Sequence, residues 1–217
     1  MKVKELVLYS KAPIDQANFY EKVMGLPLKK ASREAVKIQI GETQLVFEKR
    51  DFATNYHFAV NIPSGKENEA LAWLKPKVAI LAFDGREVVD FPNWNAKSVY
   101  FHDADGNIVE LIARRDLDII DVQPFSAAQW LSISEIGIGT TNIEDTYKQL
   151  NGLHPLPIYW GDFGHFCAAG DEHGLFILAD INKKKWFPTD EPVYPSAFSM
   201  RGDYNFDYNG EAFKKPG

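Results

Sequence analysis

The chain has 217 residues, 45% of them hydrophobic and 13% aromatic, enough to bury one large or two small cores. Its formal charge of −6, with no basic run longer than Lys183-Lys184-Lys185, argues against nucleic acid as the main partner. A single cysteine, Cys167, excludes an intramolecular disulfide; the opening MKVKELVLYSKAP lacks the apolar run of a signal peptide, and no stretch approaches the roughly 20 apolar residues of a membrane span, so a cytoplasmic location without membrane contact is expected.

The first element in chain order is a strand over residues 3–9, with Leu6 and Leu8 on an apolar side and Glu5, Val7 and Tyr9 opposite. An amphipathic helix near 13–24 follows, carrying Ala17, Tyr20, Val23 and Met24 on one stripe and ended by Gly25 as a left-handed cap. Strands near 27–31, 35–40 and 43–48 complete a βαβββ unit. The pattern then recurs. A strand over 56–62 sets Phe58, Val60 and Ile62 against His57, Ala59 and Asn61; a helix near 65–75 and strands near 78–82, 97–102 and 107–113 follow.

The last of these strands comes after a turn read from Asp105-Gly106-Asn107 and holds Glu110 in an otherwise apolar run. An unpartnered carboxylate on such a strand would cost several kcal/mol, so Glu110 should meet a cation, a metal or water. His57 and Glu5 lie on the sides of their strands away from the helix-packed core, and one sheet curved toward that side would bring all three together.

A third, weaker copy has a strand over 134–140, a helix over 143–150 and strands near 154–159, 163–169 and 175–179. Glu135 precedes Ile136-Gly137-Ile138 as Glu5 precedes Leu6-Val7-Leu8, but four residues on from the turn glycine stands Leu178, where the second copy has Glu110. Gly137 and Gly139 leave that face nearly bare, which suits close backbone approach. The module is therefore expected to be mainly structural, with Glu135 as a capping or salt-bridging group. Residues 116–130 form a linker. The tail, 182–217, holds eight aromatics among prolines and glycines without helical or strand period. It is expected to be an irregular strap across the sheet or a dimer seam, with a lid over a cup as the alternative.

Other chemistry is thin. His165 and Cys167 alternate onto one face of a strand, but no third residue orients the histidine as a base, and Cys167 reads as structural. His102 reads as a turn histidine. No phosphate loop, dinucleotide fingerprint or HExxH is present.

The segments FYEKVMGLPL and HDADGNIVEL, with His57-Phe58-Ala59-Val60 between them and Trp94 before the last hairpin, make residues 3–115 resemble the vicinal oxygen chelate superfamily, which includes glyoxalase I, bleomycin resistance proteins and extradiol dioxygenases. The resemblance implies an α+β fold of repeated βαβββ modules, two of them paired into a cup-shaped mixed sheet around a divalent metal. It implies a glyoxalase-like domain over 1–115 made of two modules, a third, degenerate module over 131–181 and the tail beyond. It places metal ligands at Glu5, His57 and Glu110, with Val46 where a fourth would stand.

Oxygen and imidazole donors together suit Mn, Fe, Ni or Zn. Open coordination positions would admit substrate oxygens. The expected activity is lyase or isomerase chemistry on a small organic substrate with neighbouring oxygens, with Glu48 or Glu5 moving a proton and Tyr9, Trp94 and Tyr100 as apolar wall. Metal-free sequestration of an antibiotic-like ligand and ring-cleaving dioxygenation are the alternatives. Glu5 disfavours the latter, whose family members prefer His there. An odd number of modules and an aromatic tail suggest a homodimer.

Overall fold

A computed structural model describes residues 1–216. The first module runs through β1 (Val3–Ser10), α1 (Pro13–Asn18), β2 (Leu28–Ala31), β3 (Ala35–Ile40) and β4 (Thr43–Lys49). Pro13 starts α1, where its missing N–H costs nothing, and a π-helical turn over Phe19–Val23 carries the helix on to Gly25, whose φ of +74° ends it. The second comprises β5 (His57–Ile62), α2 (Glu67–Leu74), β6 (Val89–Phe91), β7 (Ala96–His102) and β8 (Ile108–Arg114). The strand expected near 78–82 is reduced to a single bridge between Ile80 and Phe101, and β6 forms further along. The third contains β9 (Ser132–Thr140), α3 (Ile143–Leu153), β10 (Ile158–Gly161), β11 (Phe166–Asp171) and β12 (Gly174–Asp180). Asn142 caps α3 by accepting from the Asp145 N–H.

The tail is more ordered than its composition implies. It contributes β13 (Lys185–Trp186), β14 (Glu191–Pro192), β15 (Phe198–Gly202), β16 (Phe206–Tyr208) and β17 (Phe213–Lys214). Phe198, Phe206 and Tyr208 are buried, so alternation does operate over β15 and β16, in runs too short to register as a period.

Two large sheets result. One has the order β17-β16-β15-β1-β4-β3-β2, the other β10-β11-β12-β9-β5-β8-β7-β6. The fold is α+β with two modules paired in a curved mixed sheet, but the pair is the second and third. The pairing of the first with the second, expected within residues 1–115, is not made. β5 lies parallel to β8 on one side and antiparallel to β9 on the other, with Phe58 opposite Ile136. β1 lies parallel to β4, and its remaining edge is filled by β15, with Leu6 opposite Met200. The third module is thus paired within the chain and the tail aromatics are used within it, which removes both arguments for a homodimer.

The apolar sides of both sheets share one continuous core with all three helices. Leu6, Leu8 and Phe47 come from one sheet, Phe58, Leu111, Phe176 and Leu178 from the other. Each such side chain contributes about 1.5–3 kcal/mol by leaving water. The β3–β4 turn is pressed against the chain entering β9: the Glu42 N–H donates to the Leu131 carbonyl at 2.8 Å, and a Cβ on Gly41, at φ +48°, would fall 1.9 Å from that oxygen. Among the described residues no helix is long and apolar enough to cross a membrane.

Candidate metal centre

The core takes one side of β5, β8 and β9, and the other side turns into the cup. There strand alternation presents His57, Glu110 and Glu135, all buried. His57 Nε2 lies 3.6 Å from Glu110 Oε2 and 3.9 Å from Glu135 Oε2, and the three donor atoms lie within 4.8 Å of one another. Donors around one ion at bond lengths of about 2.1 Å are separated by roughly 3.0–3.5 Å, so a small inward movement closes this triangle on a cation.

Each carboxylate is held by its other oxygen. Ser98 Oγ donates to Glu110 Oε1, and the guanidinium of Arg114 donates to Glu135 Oε1. Arg114 is itself wholly buried, with Nε 3.3 Å from Asn61 Oδ1 and its guanidinium 5.6 Å from the Trp94 ring centroid. Both Oε2 atoms are left aimed at His57.

Burial pushes the Glu135 carboxyl up to about 8, reinforced by the charge of Glu110 and opposed by Arg114. Burial raises Glu110 as well, against the hydrogen bond from Ser98. His57 is lowered by burial to about 4, so the imidazole is neutral near pH 7 and keeps a lone pair for a ligand. Two desolvated carboxylates share one guanidinium, and with both ionised a divalent cation would supply the charge that is missing. The donor set therefore fits a borderline or hard divalent ion.

Above the triad is a cavity of about 340 Å³. Trp94 and Tyr100 line it with Phe91, Trp160, Phe166 and Phe187. The Trp186 ring lies 5.2 Å from that of His57, centroid to centroid. The bare Gly137 on β9 makes room for it, since a Cβ there would fall 2.6 Å from the indole. Gly137→Ala is expected to cost about 1–3 kcal/mol by overpacking. In urea denaturation that loss should shrink when Trp186→Ala is added, and equal losses with and without the indole would mean that Trp186 does not seat on Gly137.

No family model matches the sequence, and no curated protein matches it. Solved structures do match. A candidate dioxygenase from Bacillus subtilis subsp. subtilis str. 168 superposes with a TM-score of 0.59 at 17% identity, covering 82% of this chain and 63% of that one. The V278E mutant of glyoxalase I from Zea mays gives 0.57 at 12% identity over 93% of this chain and 75% of that one. Lactoylglutathione lyase from Agrobacterium tumefaciens gives 0.45 at 19% identity, over 51% and 92%. This is the vicinal oxygen chelate fold. The chain spans less than two thirds of the Bacillus protein.

In the vicinal oxygen chelate cup formed here, the register shows how the two modules correspond. Glu110 stands two residues beyond Ile108, the partner of His57; Ile177 stands two residues beyond Leu175, the partner of Glu135. His57 thus corresponds to Glu135 and Glu110 to Ile177, which lines the cavity and leaves one corner of the site without a protein donor. Leu178, placed at that corner by counting from the turn glycine, faces the core instead. Leu175, the partner of Glu135, follows its turn glycine by one residue, whereas Ile108, the partner of His57, follows Gly106 by two, so a fixed count lands on opposite sides.

The structure separates the other expected site residues from the triad. Glu5 is in the seven-stranded sheet, opposite Gln44 and Arg201 and 3.5 Å from Lys37 Nζ. Glu48 is exposed on β4 of the same sheet. Tyr9 is there too, with the Arg50 guanidinium 3.2 Å above its ring. The physical reason is the topology: β1 never pairs with β5, so its outward side faces away from the cup. Glu135, assigned above to a capping or salt-bridging role, does salt-bridge Arg114 but also completes the triad. The signal for it was its position before Ile136, the same phase as Glu5. His102 meets Glu191 of the tail at 2.7 Å. His165 precedes β11 and lines the cavity, while Cys167 points into the core; the two do not share a strand side, because the strand begins after His165.

Proposed function

We propose that the cup holds one divalent ion through His57, Glu110 and Glu135 and acts on a small organic substrate with neighbouring oxygens, as a lyase or isomerase. The observation that carries this reading is the convergence of one neutral imidazole and two carboxylates whose second oxygens are already anchored by Ser98 and Arg114. A bound ion would polarise a substrate oxygen and stabilise charge developing on it. Ile177 leaves room for that oxygen. Arg114 orients Glu135 and opposes the burial that raises its carboxyl, and Ser98 does the same for Glu110. Trp186, Phe187 and Trp94 keep water from the reacting atoms. Proton transfer falls to the Oε2 atoms of Glu110 and Glu135, since Glu5 and Glu48 are on the other sheet and Asp90 is at the exposed rim.

One histidine with two carboxylates differs from the two-histidine, one-carboxylate set of non-haem iron oxygenases, which places ring cleavage behind lyase or isomerase chemistry. Sequestration is the second reading, favoured by the aromatic lining of the cavity. The test is a panel of α-keto hemithioacetals, catechols and aromatic antibiotics, each with Mn, Fe, Ni or Zn and with chelator. Turnover of a hemithioacetal that needs metal is expected. Binding unchanged by chelator, without turnover of any member, would replace the enzyme with the sequestration protein.

A further inference from the structure

The cavity has two polar ends. Its floor is the carboxylate–imidazole triad. At its mouth lie Lys184 and Lys185, on the tail segment that also carries Trp186. Of the three consecutive lysines only Lys183 has a partner, Asp180 at 3.0 Å; among the described residues neither Lys184 nor Lys185 is in an ion pair. Lys184 is half-buried, its Nζ 5.7 Å from the centroid of Phe166, a wall residue. His165 lines the same mouth, and Asp90 and Asn93 line it from the β6 side. Two unpaired ammonium groups at the mouth of a cavity are an exception in a chain of net charge −6.

Between the two ends the lining is aromatic and continuous. Ring centroids are 6.2 Å apart for Phe91 and Trp94, 6.4 Å for Trp94 and Trp160, and 5.8 Å for Trp160 and Phe166. On the other side Phe187 sits 5.8 Å from Phe91 and 5.5 Å from Tyr100. Trp160 keeps 46% of its surface exposed although it lines the cavity, an aromatic area that a ligand would cover.

We propose that the ligand of this cavity is a flat aromatic molecule bearing one anionic group at the end remote from its chelating oxygens, the anion being held by Lys184 and Lys185. The assignment rests on the reading of the cavity as the substrate site. The rings supply stacking area, the floor repels an anion while it holds no metal, and the lysines attract one, so the ligand has a single orientation. Phosphate and sulfonate would meet the same lysines, but one carboxylate matches a mouth where Asp90 offsets part of the positive charge.

The test is calorimetry on the full chain in chelator, with 3-phenylpropionate, its primary amide and hexanoate as probes. The acid is expected to bind at least about tenfold more tightly than the amide, an advantage of about 1.4 kcal/mol. It should also bind more tightly than hexanoate. Lys184→Gln with Lys185→Gln should erase the acid-over-amide preference and leave amide binding unchanged. Equal binding of acid and amide, a preference that survives the double variant, or no binding of any probe would each overturn the proposal. Adding Mn and comparing 3-(3,4-dihydroxyphenyl)propionate with 3-phenylpropionate separates the two readings. A preference for the acid without any gain from the catechol oxygens would defeat the metal site and leave the lysine site standing.

Discussion

Replacing Glu135 by Gln is expected to lower the affinity for Mn, Ni or Zn by at least about 100-fold, beyond the 10–100-fold that loss of an outer partner of a ligand typically costs. The amide keeps the shape and can still accept from Arg114, so the change is confined to the charge and donor strength of Oε2. Glu110→Gln should act alike, because its Oε2 is the other oxygen aimed at His57. Glu5→Gln should leave one ion per chain bound at wild-type affinity, since Glu5 faces Lys37 on the other sheet. Calorimetry on the chelator-treated protein decides it. An unaltered Kd in Glu135→Gln, or a lost site in Glu5→Gln, would show that the ion is held elsewhere.

Arg114→Met should cost about 3–5 kcal/mol of folding stability in the absence of metal, the usual consequence of removing one partner from a buried ion pair. Glu135 would then stand beside Glu110 without a cation, with both side chains at most 5% exposed. Adding Glu135→Met should recover most of the loss, since apolar replacement of both partners removes the stranded charge. Excess metal should recover part of it in the single variant, by about 2.7 kcal/mol at a concentration 100 times Kd. Urea denaturation near pH 9, above the value of about 8 to which burial pushes Glu135, reads all three. A loss below about 1 kcal/mol in Arg114→Met would mean that Glu135 is already protonated there, leaving Arg114 little to neutralise.

Much of this molecule is legible residue by residue. Alternation in residues 56–62 and 107–113 puts His57 and Glu110 opposite the core, and both face the cup. The Asp105-Gly106-Asn107 turn forms, with Gly106 at φ +79°. Trp94 and Tyr100 line the cavity, and Tyr9, named with them, does not. Gly137 and Gly139 mark close approach, and the approaching groups are Trp186 and the backbone of Tyr194. These are local properties, set by backbone period, turn chemistry and the absence of a side chain.

What the sequence by itself determined is therefore the side of the strand on which each donor stands; which donors meet was decided only by tertiary structure. Glu5, His57 and Glu135 each lie near the start of the leading strand of a module, in the same phase, and any two of those strands could join edge to edge. Backbone N–H and C=O groups are alike in every strand, so edge pairing carries almost no side-chain signature. Here β15 occupies the free edge of β1, and β5 and β9 are left to each other. Glu135 thereby enters the cup, Glu5 leaves it, and Trp186, more than a hundred residues from His57 in the chain, comes to rest against the imidazole.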